Sequence, residues 1–285
     1  MPLDLVLTAD DFVPDNINFK VDFEPTKFKD KKYVINADTD EYLGVVGNDF
    51  NCVSHGEFFE GVHQAVTEHL GEDDCADMNI RWRDARNGAW AMLDMTLPNV
   101  TANIVTDTHT TRVAQRIIAL HGIDGSCSNQ VFFGAIDFFC TNGMIRGDHD
   151  KVRRKNTSGF NMDRFIRDLS NSTQHFYDRT QQLQEWASHK VQAPNVKAML
   201  DKLFSSERKA DKMWRLYQQE VHVRGHNLWS VYSAFTNYAS YADSRNGFTL
   251  RNTGNDTEAV SMFSREQEVA QWIESKPFKK LANAA

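Results

Sequence analysis

The chain runs to 285 residues, 41% of them hydrophobic and 25% charged, with 39 acidic side chains against 32 basic ones and a formal charge of −7. That length can bury a sizeable core, as one large domain or two smaller ones, and the composition is that of an ordinary globular protein. The acidic balance weighs against bulk electrostatic attraction to nucleic acid, although screening leaves room for a local basic groove.

Residues 1–32 are polar and lack periodicity. They read as an extended arm, with Phe19, Phe23 and Phe28 available to pack on a neighbouring subunit. An α+β core with an antiparallel sheet, built from hairpins or a meander, is expected over residues 33–160. Lys32 to Gly47 reads as two short strands joined by a turn around Ala37 to Asp40. Ser54 then sits three residues before Glu57, the spacing of a capping box, and predicts a helix to Leu70 with Phe58, Val62, Ala65 and His69 on one stripe. Met78 to Leu97 is a hairpin: Asn87-Gly88 separates two alternating runs, and Asn-Gly suits a tight turn. Its first strand carries Arg81, Trp82, Arg83 and Arg86, and its second begins at Trp90. Thr101 to Arg112 is Thr-rich and reads as a loop.

The densest apolar run, Gln130 to Cys140, is apolar on both alternating faces, as in a central strand covered from both sides. Val113 to Leu120 reads as its partner across an Asp124-Gly125 turn. Directly after the run come Arg146, Lys151, Arg153, Arg154 and Lys155, the one concentrated block of positive charge. Asp148 and Asp150 partly neutralise it, so a solvated loop competes with a phosphate contact, in which cations gain from counterion release. From residue 161 to 285 the pattern is helical. Helices are expected over Met162–Lys190, Val196–Val221, His226–Ala242 and Ser264–Ser275, followed by a short basic tail.

Chemistry is thinly represented. His222 and His226 have helical zinc spacing, but Val223 stands where the usual glutamate would be and Gly225 weakens the helix. His121, Asp124 and Ser126 share one turn, whereas a nucleophilic triad needs separated elements to impose its geometry. Four widely spaced cysteines, Cys52, Cys75, Cys127 and Cys140, form no CxxC pair. There is no phosphate-loop motif, no run long enough to span a membrane and no signal-peptide pattern at the N-terminus. No catalytic residue, metal or cofactor is expected, and the location expected is cytoplasmic.

The central stretch from His121 to Met144, with its Gly122-Ile-Asp124-Gly125-Ser126 turn and Cys140-Thr-Asn142-Gly143 end, resembles the phage/plasmid-like family known as domain of unknown function DUF932. Tyr42-Leu-Gly-Val-Val-Gly47 and the Asn227-to-Tyr238 segment are similar to its flanking patterns. The resemblance implies carriage by phages and mobile elements and brings no catalytic residue with it. The element order also resembles single-strand annealing proteins of the RecT, Erf and Rad type, a topological analogy that does not fix function.

The expectation is therefore a phage-encoded, non-enzymatic protein of the host cytoplasm that binds and anneals single-stranded DNA as a homo-oligomer. Phosphates would meet Arg146, Lys151, Arg153, Arg154 and Lys155, with Arg81, Arg83 and Arg86 as a second strip. Trp82 and Trp90 would be stacking platforms for bases. The alternative is a phage structural or host-interaction protein whose basic block meets an acidic protein partner.

Overall fold

Short alternating runs make a first, small sheet. The computed structural model describes residues 12–137, 143–145, 151–156, 161, 163–167, 176–241 and 258–284. In it β1 (Val21–Pro25), β2 (Lys31–Asn36) and β3 (Glu41–Gly47) pair antiparallel in that order. Val34 and Val46 are buried, whereas Tyr33 and Val45, opposite one another in register, lie on the other face. Part of the expected arm is thus a strand of this sheet. Phe19 packs with Ala89 and Ile123 of the same chain, and Phe23 lies beneath the Lys32 ammonium and against Phe50. Phe28, in the β1–β2 turn, points outward.

The next helix, α1 (His55–Leu70), begins where the capping pattern predicts: Ser54 Oγ accepts the Glu57 N–H at 3.1 Å. Phe58, Phe59, Val62, Ala65 and Val66 form its buried stripe, and one short turn, α2 (Glu72–Cys75), follows.

A second sheet of six antiparallel strands comprises β4 (Asn79–Ala85), β5 (Trp90–Val105), β6 (Thr110–Gly122), β7 (Asn129–Asp137), β8 (Gly143–Ile145) and β9 (Lys151–Arg154). The order is β4-β5-β6-β7, with β8 and β9 paired end to end along the outer edge of β7. Thr101 to Arg112 is not a loop: β5 and β6 stay paired out to Val105 opposite Thr110. A bulge between Leu97 and Thr101 absorbs Pro98, which cannot donate to the ladder, and the β-branched Thr and Val residues beyond it favour strand.

This sheet is covered on both faces, as the apolar run in β7 predicts. Leu93, Met95, Ile117, Ala119, Val131 and Phe133 join α1 and the C-terminal helices in the main core. The alternate residues Trp90, Met92, Ile118, Leu120 and Phe132 meet Phe263 on the other side.

The C-terminal half is helical: α3 (Phe176–Ser188), α4 (Ala193–Leu203), α5 (Glu207–Arg224), α6 (Leu228–Tyr241), α7 (Glu258–Glu274) and α8 (Lys276–Ala282). The architecture is α+β, a sheet-rich N-terminal half packed with a helical C-terminal half. Several boundaries differ from expectation: α7 begins at Glu258 instead of Ser264, and of the helix expected over Met162–Lys190 the described residues hold 163–167 and α3, residues 168–175 lying outside them. The helix predicted over Val196–Val221 is two helices, broken at Phe204 to Ser206, where Ser206 Oγ caps Lys209 N–H. The basic tail is α8, with Pro277 in its first turn and Phe278 and Leu281 buried. Among the described residues no helix is long and apolar enough to cross a membrane.

Candidate nucleic-acid interface

The β4–β5 hairpin closes as its dipeptide predicts. Asn87 and Gly88 have φ of 54° and 79°, Arg86 is also left-handed at 56°, and Ala89 N–H donates to Arg86 C=O at 3.0 Å. A side chain at Gly88 would bring a Cβ to 3.0 Å from the Asn16 carbonyl, so the tip is held tightly against the N-terminal segment. Below the tip lies a buried imidazole pair. His55 Nε2 is 2.8 Å from the Gly88 carbonyl and therefore donates; His55 Nδ1, 3.0 Å from His121 Nδ1, then accepts the His121 proton. That leaves His121 Nε2 deprotonated and, among the described residues, without a hydrogen-bond partner. Burial holds the His55 pKa down to about 4 and keeps that of His121 well below the usual range, with the His55 neighbour adding to the effect.

Beside the tip, the turn after β6 gathers charge. Asp124 accepts Ser126 N–H at 2.8 Å through one oxygen and pairs with Arg86 at 3.3 Å through the other. Arg86 and Arg153 both lie near enough to Cys127 to lower its pKa, yet burial, the larger influence, pushes that thiol up to about 12. Arg153 Nε donates to Ser128 Oγ at 2.7 Å, Arg154 donates to the Arg153 carbonyl at 2.9 Å, and Lys155 is exposed. Lys151 begins β9 opposite Phe132, and Arg146 lies outside the described residues.

The expected single groove between the basic block and the whole arginine strip is not what the sheet builds. Arg83, Met92, Leu120, Gln130 and Arg153 form one cross-strand row on one face, with an arginine at each end. Four strand spacings separate the two ends, roughly 19 Å. Further along the strands, on rows beside the Arg83 end, sits a buried ion cluster: Arg116 donates to Asp94 at 2.7 and 2.8 Å and to Glu266 of α7 at 3.0 and 3.1 Å. Arg83 joins it at 3.3 Å from Asp94, while Arg81 stays exposed in register with Asp94. Burial alone would raise Asp94, but Arg116 holds it below the usual carboxylate range; for Glu266 burial prevails and its pKa is raised. Arg86 and Arg153 reach the turn carrying Cys127 from opposite edges of the sheet, Arg86 through Asp124 and Arg153 through Ser128. Arg81 and Arg83 are left at the far edge.

Neither tryptophan offers a face to a base. Trp82 packs edge-on against Phe12 and Phe59 in the main core. Trp90 is only 4% exposed, beneath Phe263. Both are strand residues of a sheet covered on both faces, which buries Trp90 fully and leaves Trp82, on the edge strand, half-buried. The exposed aromatics are elsewhere: Tyr42 (60%) on the outer face of the small sheet, Phe28 (57%) in its turn and Tyr177 (63%) in the first turn of α3. The sequence signal for the first two was the Lys-flanked Phe28 and the placing of Tyr42 at a strand position that faces water.

The weighed chemistry does not assemble. Gly225, with φ 77°, ends α5 before His226, so the two histidines do not share a helix; His226 Nδ1 is hydrogen-bonded to the Tyr217 hydroxyl at 3.0 Å. His121 turns to His55, and Asp124 to Arg86 and Ser126 N–H, so the three triad candidates are not in line. Among the described residues no group of three or more His, Cys, Asp or Glu side chains could hold a metal ion.

No curated protein and no solved structure matches this chain. The family model described as a domain of unknown function, DUF932, matches residues 42–266, from β3 through the Glu266 that seals the buried ion cluster. The chain belongs to that family.

Proposed function

We propose that the protein is a phage-encoded, non-enzymatic binder of single-stranded DNA that promotes annealing as a homo-oligomer. The observation that carries this reading is the run Arg153, Arg154 and Lys155 at the end of β9, a local cationic edge on a chain of net charge −7. Such an edge gains affinity for phosphates by releasing condensed counterions, and it asks nothing of the remaining, acidic surface. Arg83, Arg86 and Arg116 contribute little, because Asp94, Asp124 and Glu266 already pair with them. The edge alone is sequence-blind, as annealing requires.

The test is strand annealing followed by energy transfer between two complementary labelled oligonucleotides, with light scattering on the same sample. The expected result is faster annealing by a multimer, slowed by Arg153→Gln/Lys155→Gln. Unchanged annealing rates at low salt, or co-purification with a host or virion protein in place of nucleic acid, would support the protein-partner alternative.

A further inference from the structure

The proposed edge supplies phosphate contacts, but Trp90 is buried and Trp82 is half-buried with its ring against Phe12 and Phe59, so neither adjoins that edge as a platform for bases. We infer that the outer face of the three-stranded sheet is that surface, and that a single strand of nucleic acid lies across it with bases on Tyr33, Tyr42 and Phe28. This inference rests on the proposed function and names where the bases go.

Four observations lead there. The half-buried Tyr33 and the exposed Tyr42 meet edge to face, with centroids 4.9 Å apart, beside the exposed Val45, so aromatic surface faces water. Phe28 is held outward by an ordered turn: Thr26 Oγ1 accepts Phe28 N–H and donates toward the Lys31 carbonyl, both at 3.0 Å, while Asn48 Nδ2 donates to the Lys29 carbonyl at 2.7 Å. Its neighbours are Lys27, Lys29, Lys31 and Lys32, against the single carboxylate of Asp30 within that run. The segment after the small sheet also abuts the proposed edge, with Asn51 N–H donating to the Asn156 carbonyl at 3.3 Å, and the sheet itself packs on the hairpin tip. Asn87 of the hairpin tip donates to Glu41 at 2.6 Å, and Gly44 lies so close to Asp124, the partner of Arg86, that a Cβ there would be 3.1 Å away.

Aromatic faces beside lysines suit a single strand, because every base has a π-face and each phosphate a charge to neutralise. The opposing charges on this side include Asp22, Glu24, Asp30 and Asp40, and the Tyr42 hydroxyl already donates to Glu24 at 3.0 Å. An acidic protein partner would use the lysines but not the rings. An anionic membrane would use Phe28 but not the tyrosine pair on the flat face.

The experiment titrates the full-length protein into a fluorescently labelled oligothymidylate, followed by anisotropy, and in parallel into phosphatidylserine vesicles. Thermal melts confirm that each variant folds. Tyr42→Ala and Phe28→Ala should each weaken oligonucleotide binding on the order of ten-fold, with Tyr42→Phe close to wild type. Lys27→Gln/Lys29→Gln/Lys31→Gln should flatten the log–log salt slope by about 2, at roughly 0.7 per phosphate on a single strand. Binding that survives the aromatic variants but falls with Arg153→Gln/Lys155→Gln would overturn this inference and leave the proposed function standing. Wild type that fails to bind at low salt would remove both. Vesicle binding lost with Phe28→Ala, while oligonucleotide binding is unchanged, would assign the turn to a membrane and overturn the inference.

Discussion

Acidification should find the buried imidazole pair first. His55 is held down to about 4 by burial, against 6.5 for an exposed imidazole. A folded-state pKa below the unfolded one means that the unfolded chain binds more protons through that window. Stability therefore rises with pH from about 4 to 6.5 and is lost as the pH falls through the same range. One such histidine removes about 1.4 kcal/mol per pH unit, so His55 alone accounts for about 3 kcal/mol between neutrality and pH 4. His121 is shifted in the same direction and adds to this. The assay is urea denaturation in steps from pH 7 to pH 4, comparing wild type with His55→Gln/His121→Asn. Both replacements cannot titrate, and they keep amide donors for Gly88 C=O and for the partner side chain. The variant curve should be flatter than wild type by about 3 kcal/mol or more across the window. Parallel curves would mean that the pair is charged or solvated in the folded protein, and the burial argument would fail.

Three further outcomes follow from the packing. Arg116→Ala strands Asp94 and Glu266 as buried carboxylates and should cost about 3–5 kcal/mol by denaturant titration, with part of that recovered when Glu266→Gln is added. Lys209 lies over the rings of Phe204, Tyr238 and Trp272 at 4.6–5.3 Å and pairs with Glu268 at 3.3 Å. Lys209→Ala should therefore lower stability by about 1–2 kcal/mol and Lys209→Arg by much less, read from shifts in melting temperature. Gly88→Ala, at φ 79° and against the Asn16 carbonyl, should destabilise by more than about 1 kcal/mol, whereas Gly71→Ala, with open space around it, carries only the backbone strain of its φ of 90°.

What the sequence disclosed was local. Ser54 with Glu57, Asn87-Gly88 and the two-sided apolar run in β7 each follow from chemistry within a few residues, and each forms as predicted. The misread stretches have equally local reasons. The Thr-rich arms of the β5–β6 hairpin look like loop because most of their polar side chains, Asn103, Thr108 and Thr110 among them, face water at its far end, although Thr111 is buried. The break at Ser206 leaves the helical period on either side intact. The site was harder to read because its electrostatics depend on partners distant in sequence. Arg86 looks free until Asp124 folds beside it, and Arg83 until Asp94 does. Trp90 looks like an exposed hairpin aromatic until Phe263 arrives from the other half of the chain. Residue type announced cations and rings; only the register decides which of them reach water.

The account stands most directly on a salt titration of oligonucleotide binding. Wild type should bind a labelled single strand tightly at low salt, with log affinity falling linearly against log salt. Arg153→Gln/Arg154→Gln/Lys155→Gln should lose about 2 from that slope. Affinity indifferent to salt, or a slope unchanged by removing those three charges, would contradict it.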